Sequence, residues 1–156
     1  MKKSFLFAFV FLCSIQVFSQ SFSLDELMTL RTKSVEDFGT AVEAKGYKFS
    51  KSSKQEGEDA FTWLYSSDQP ELMKAMTISV DEKGKQSTTY TFFSLDTYNK
   101  TKERLSELGF KFQKTTVGRD NDMANIYTSP YTRVVLVKTA RENDNTGYMI
   151  IVYQNN

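Results

Sequence analysis

The chain of 156 residues carries 20 Lys+Arg against 19 Asp+Glu, a single cysteine and no histidine. The lack of histidine excludes Ser-His-Asp triads, Cys-His dyads and imidazole metal sites. The near-neutral charge provides no field to attract nucleic acid or an anionic membrane, so we expect no nucleic-acid partner.

Residues 1–19 have the order of a secretory signal peptide. Lys2 and Lys3 give a cationic start, residues 5–18 are mostly apolar, and Val17 and Ser19 place small side chains before a cleavage site. The apolar run of about 14 residues is shorter than the ~20 that cross a bilayer. We therefore expect cleavage, no stable membrane anchor afterwards, and export of residues 20–156 to the periplasm or the extracellular space.

Loss of the signal would remove Cys13 together with Lys2 and Lys3. The mature chain would then have no cysteine, and its 18 basic residues against 19 acidic ones would give a net charge of −1. Disulfides, thiol catalysis and cysteine-bound zinc are excluded for such a chain. Its stability must come from burial, and its length suffices for one ordinary domain.

The first half of the mature chain predicts helical structure followed by four strands. Ser23 and Glu26 have the spacing of a capping box, and Gly46 suits the end of a helix. Between them the apolar pattern predicts either one long helix or a helix-turn-helix. Alternating apolar and polar residues then predict strands at 47–52, 60–65, 72–80 and 87–93.

The second half predicts the same order of elements. Ser94 begins a helix whose apolar side chains share one face, and Gly109 ends it. Strands are predicted at 110–116, 123–128, 132–139 and 148–153, with polar turns between them.

Two short motifs recur at matching places in the two halves. Gly-Tyr-Lys-Phe at 46–49 returns as Gly-Phe-Lys-Phe at 109–112, and Ser-Leu-Asp at 23–25 returns at 94–96. This predicts tandem duplicated α-β-β-β-β units, about 23–93 and 94–156, within a single mature domain. The fold class expected is α+β, an antiparallel sheet with helices packed on one face.

This duplicated layout resembles that of the tandem-repeat secreted inhibitors of β-lactamase. The resemblance lies in the layout and assigns no residue, and this chain lacks the cysteines for the disulfides those proteins use. It implies a non-enzymatic, inhibitor-like module that binds a protein.

Aromatic rows on two predicted strands are the candidate binding residues. Phe61, Trp63 and Tyr65 share one face of strand 60–65, and Tyr90 and Phe92 share a face of strand 87–93. Such rows either fill the core or, where they face water, bind a protein or glycan partner. The sequence leaves both interpretations open.

The function expected is that of an exported non-enzymatic binding or inhibitor-like module of unknown partner. No catalytic residue, cofactor or metal site is predicted, because the acids at 120–122 and 142–145 lack the spacing of a calcium loop. Two alternatives are a structural component of the cell envelope and a hydrolase with paired carboxylates. Asp59 and Asp122, at matching positions of the two halves, are the acids that such a hydrolase would use.

Overall fold

The computed structural model of the protein describes residues 21–55, 57–66, 73–118, 121–140 and 146–154. The predicted signal peptide lies outside these residues. The described part is a mixed α+β fold with three helices and one antiparallel sheet of eight strands, which confirms the predicted class. None of the described helices is long and apolar enough to cross a membrane.

The elements follow the chain in the predicted order. The helices and strands are α1 (Leu24–Leu30), α2 (Val35–Glu43), β1 (Lys48–Gln55), β2 (Glu58–Tyr65), β3 (Lys74–Asp81), β4 (Gln86–Phe92), α3 (Leu95–Glu107), β5 (Lys111–Val117), β6 (Met123–Thr128), β7 (Thr132–Thr139) and β8 (Gly147–Gln154).

The strand order across the sheet is β1-β2-β3-β4-β8-β7-β6-β5. The first four strands form one meander and the last four form another. The two meanders join where β4 pairs antiparallel with β8, so the first and fifth strands in sequence become the two edges. One continuous sheet therefore spans both halves of the chain.

The first helical region is a helix-turn-helix, the second of the two predicted forms. Ser23 Oγ accepts the Glu26 N–H at 3.3 Å and the Glu26 carboxylate accepts the Ser23 N–H at 2.8 Å, so the predicted capping box begins α1. Ser34 Oγ accepts the Asp37 N–H at 3.1 Å and begins α2. Each cap satisfies an N–H that a helix start would otherwise leave unpaired.

The helices that precede the two edge strands end in the same way. Gly46 and Gly109 have φ angles of 87° and 72°, a left-handed conformation that glycine adopts without steric cost. The N–H of the next residue, Tyr47 or Phe110, donates to a carbonyl five residues earlier, at 3.3 and 3.0 Å. This closure turns the chain from each helix directly into an edge strand.

All three helices pack on one face of the sheet. The ring contacts that show this join Phe38 of α2 to Trp63 at 5.3 Å, and Tyr98 of α3 to Tyr148 at 4.9 Å. Phe22, directly before the cap of α1, contacts Tyr90 at 5.5 Å. Burial of this apolar layer is the main force that holds the helices on the sheet.

Candidate functional site

The five predicted aromatics all lie on the face that the helices cover. Trp63, Tyr90 and Phe92 are 4%, 0% and 1% exposed and belong to the core. Phe61 and Tyr65 are half-buried and pack against that core. The structure therefore gives three of these rings a packing role in the core.

Trp63 fixes α2 on the sheet. Its Nε1–H donates to the Glu43 carboxylate at 3.0 Å, and its ring contacts Phe38. A Cβ placed on Gly39 would lie 2.8 Å from Cζ2 of Trp63, so the helix approaches the ring as closely as it does only because residue 39 has no side chain.

A groove of about 350 Å³ lies beside this contact, between α2 and the edge of the sheet. Phe61 and Trp63 line it together with Phe49, which is 53% exposed and meets the Trp63 ring edge-on at 5.3 Å. Phe49 is not among the predicted binding residues, although it belongs to the repeated tetrapeptide. Glu36 and Glu43 also line this groove.

A larger cleft of about 660 Å³ separates α1 from α3, and ion pairs cross it. Arg104 donates to both carboxylate oxygens of Asp25, at 2.8 and 3.1 Å, and to Glu107 at 2.9 Å. Because these charged side chains are paired with one another, their role in the cleft is to link α1 to α3.

Glu26 and Lys45 form a second ion pair in the wall of the same cleft. Burial acts to raise the pKa of Glu26, but hydrogen bonds from Lys45 and Ser23 outweigh burial and hold that pKa below its ordinary value. Lys45 also lies 4.3 Å from the centre of the Phe22 ring. The pair therefore ties α1 to the end of α2.

The face of the sheet opposite the helices, which we call the open face, carries an unusual middle row. Strand register places its members directly opposite one another across all eight strands. In order across the sheet they are Lys51, Thr62, Thr77, Thr89, Ile151, Val135, Ile126 and Lys114.

Two further rows flank the middle row on the open face. One row consists of Lys48, Leu64, Ala75, Thr91, Met149, Val137, Ala124 and Thr116, and the other of Ser53, Ala60, Ser79, Ser87, Tyr153, Arg133, Thr128 and Lys111. On the six inner strands, the middle row and the row that contains Met149 have no charged and no aromatic side chain. These side chains are half-buried against one another, except Val137, which is buried.

A β-bulge determines on which face of the sheet the side chains of edge strand β1 lie. Phe49 pairs with Trp63, but the next pair joins Lys51 to Thr62, so one extra residue is inserted. Without it Lys51 would share the helix-covered side with Phe49, because side chains alternate along a strand. With it, Lys48 and Lys51 both lie on the open face.

Edge strand β5 has the same arrangement. Its bulge falls between Phe112 and Lys114, and Phe112 meets the Tyr127 ring edge-on at 5.6 Å on the helix-covered side. Lys111 and Lys114 therefore lie on the open face at the opposite edge. Both edges thus present an exposed Phe on one side and two lysines on the other.

The two predicted carboxylates lie far apart. Asp59 is on β2 with its oxygen 3.7 Å from Lys54 Nζ, whereas Asp122 directly precedes β6. Five strand spacings separate β2 from β6, which is about 24 Å, and a glycosidase pair lies within ~10 Å. These two acids cannot act on one bond.

Potential metal ligands do not cluster in the described part of the chain, where no group of three or more acidic side chains could hold an ion. Most of the acidic residues at 120–122 and 142–145 lie outside the described residues. Comparison with family models, curated proteins and solved structures found no match to this chain. The similarity to secreted β-lactamase inhibitors therefore remains one of predicted layout.

Proposed function

We propose that the protein is an exported, non-enzymatic binding module, and that its open face binds a partner protein. The observation that carries the proposal is the pair of neighbouring rows that cross six strands without a charge. The fully buried centre of a protein interface is likewise depleted of charged side chains. Contiguous apolar patches on a protein surface mark interaction sites, and Ile151, Val135 and Ile126 form an aliphatic stretch of the middle row.

The dimensions of the open face agree with this role. Eight strands about 4.8 Å apart, each six to eight residues long, outline roughly 34 by 20–26 Å, comparable with the ~800 Å² that each partner contributes to a standard interface. The side chains stand on a hydrogen-bonded sheet, so little conformational entropy is lost when they bind. Threonine hydroxyls can both donate and accept bonds from a partner.

A protein is favoured over a glycan as the partner. Glycan sites depend on exposed rings that stack on sugars, and the two uncharged rows contain no aromatic residue. The exposed rings of Phe49 and Phe112 lie on the other side of the sheet edges, and Tyr153, in the third row, is the one aromatic side chain among the three rows of the open face.

We propose further that the two halves descend from one duplicated unit. The recurring motifs at 46–49 and 109–112, the identical helix closures before them and the bulge within each edge strand support this proposal. Pairing of the last strand of each half would then join two small sheets into a face large enough for a protein partner. The proposal that the protein is exported depends on the signal-peptide pattern of residues 1–19.

Affinity capture from the native cell-envelope fraction tests the binding role. The purified mature chain is compared with Thr89→Arg, at the centre of the open face, and with Thr40→Arg, a matched change at an exposed position of α2 that lines the groove on the helix-covered side. We expect a protein that is retained by the wild type and by Thr40→Arg, and lost with Thr89→Arg. Equal retention by all three folded proteins would contradict the proposed surface.

A further inference from the structure

We infer that the partner surface presents carboxylates on two opposite sides of an uncharged centre. This inference rests on the proposed function and adds the chemistry of the partner. It follows from four lysines that the two bulges direct to the open face, Lys48 and Lys51 at one edge and Lys111 and Lys114 at the other.

The four lysines are free to accept carboxylates. Each is exposed, and none forms an ion pair with another described residue, whereas Lys54 and Lys100, elsewhere on the surface, are paired with Asp59 and Asp96. The lysines at the two ends of the middle row are about 34 Å apart along the sheet. The middle row and the row that contains Met149 therefore form an uncharged strip with lysines at two opposite margins, and the exposed Arg133 adds a positive charge in the third row.

The three rows contain no acidic residue to balance these lysines. The nearest acids on this side, Glu58 and Asp81, face each other beyond the last row at one end of the strands. A second copy of the chain stacked on this face would bring lysine margins against lysine margins, which is unfavourable. The charge pattern thus favours a different protein with acidic margins.

Nucleic acid and anionic lipid match this pattern less well. A nucleic-acid backbone is contacted by cations along its path, and the middle row holds none between Lys51 and Lys114. A membrane-binding surface inserts projecting apolar side chains, whereas the aliphatic side chains here are half-buried. Lysines also deter strand addition at a sheet edge, but a deterrent does not require both lysines of each edge to lie on the same face.

The test uses purified mature protein and two extended peptides with the same centre of alternating leucine and threonine, about ten residues long to span the face. One peptide ends in paired aspartates and the other in paired lysines. Binding is followed by amide chemical shifts, which locate the contact and give the affinity. Vesicles of phosphatidylcholine and phosphatidylglycerol and a single-stranded oligonucleotide are titrated in parallel.

We expect the aspartate-ended peptide to shift amides of the inner strands and to bind at least fivefold more tightly than the lysine-ended one. Lys51→Gln/Lys114→Gln should remove most of this difference. The control Lys83→Gln/Lys102→Gln alters two exposed lysines away from the open face and should retain it. Size-exclusion chromatography checks that both variants stay in the same oligomeric state as the wild type.

The other outcomes separate the two proposals. Equal binding of both peptides on the open face would overturn the inference about charge and leave the proposed binding surface standing. Tighter binding of vesicles or oligonucleotide to this face would overturn the assignment to an acidic protein. No shift of open-face amides with either peptide would overturn both.

Discussion

Thr89 lies directly opposite Ile151 where the two meanders meet, at the centre of the open face. On one side of this pair the middle row continues with Thr77 and Thr62, and on the other with Val135 and Ile126. The row is thus hydroxyl-bearing in one half and aliphatic in the other, with a β-branched side chain at each of these positions. β-Branched residues suit a pleated surface, so one row both stabilises the sheet and presents the uncharged surface.

Thr88, the neighbour of Thr89, points into the core and offers a test of packing. It is 0% exposed and opposite Val152, and its hydroxyl has no hydrogen-bond partner among the described residues. Because a buried unpaired hydroxyl is unfavourable, Thr88→Val should raise the free energy of unfolding by about 1 kcal/mol. Urea denaturation measures the change.

Thr101→Val is the matched control for this prediction. Thr101 is also buried, but its hydroxyl donates to the Thr97 carbonyl at 2.8 Å. Its replacement should leave the stability unchanged or lower it. A stabilisation by both substitutions would indicate a general preference for valine and would contradict the argument from the unpaired hydroxyl.

Trp63→Ala should destabilise the fold by about 3–5 kcal/mol, the usual cost of removing a large core ring. The ring contacts Phe38 and its N–H is bonded to Glu43, so its removal leaves a cavity under α2. At a temperature where the variant is folded, partner binding should be unchanged, because residue 63 faces away from the open face. Loss of binding in a folded Trp63→Ala protein would indicate that the interface lies on the helix-covered side of the sheet, which would contradict the proposed surface.

Gly39→Ala should destabilise the protein by about 1–3 kcal/mol through overpacking. Alanine ordinarily stabilises a helix relative to glycine, so the sign of the effect is diagnostic. The reversal arises because the added Cβ would lie 2.8 Å from the Trp63 ring. The smaller ring in the Trp63→Phe background should reduce the penalty.

Gly118→Ala serves as the control for the glycine substitution. A Cβ at Gly118 would meet its nearest neighbour, Asp122 Cβ, at an ordinary 3.5 Å. Thermal unfolding of the two alanine variants should therefore separate them. Similar destabilisation in both would show that the close approach to Trp63 is not the cause.

The free energy of unfolding should fall at acidic pH, partly because the Glu26 carboxylate becomes protonated. Its pKa in the folded chain lies below the ordinary value of 4.5, so its contribution is complete above that value and is lost as the pH falls through the folded pKa. Glu26→Gln should therefore flatten the decline of the melting temperature below about pH 4.5. Glu103→Gln, an exposed position on α3, should retain the slope of the wild type.

The order and type of the elements could be predicted from local chemistry. The capping residues, the glycines after the helices and the alternation along the strands determine structure within a few residues of themselves. For strand 60–65 the alternation separated Phe61, Trp63 and Tyr65 from Ala60, Thr62 and Leu64. It could not say which set the helices would cover, because that choice depends on contacts between distant elements.

The lysines at the margins of the open face could not be predicted from the sequence, because a β-bulge changes the face on which they lie. Alternation predicts that Lys51 lies on the side of Phe49, and the inserted bulge residue reverses that orientation. The same is true of Lys114 and Phe112. The repeated tetrapeptides marked both edges, but the bulges that follow them have no equally clear sequence signal.

The claim that the open face binds a partner can be tested by photocrosslinking in intact native cells. A photoreactive amino acid replaces Thr89 in one form of the full chain and Thr40 in another, so that the open face and the helix layer are probed separately. We predict a discrete crosslinked product with another protein from position 89 and none from position 40. A product from position 40 alone, or none from either position, would contradict the claim that the open face binds a partner.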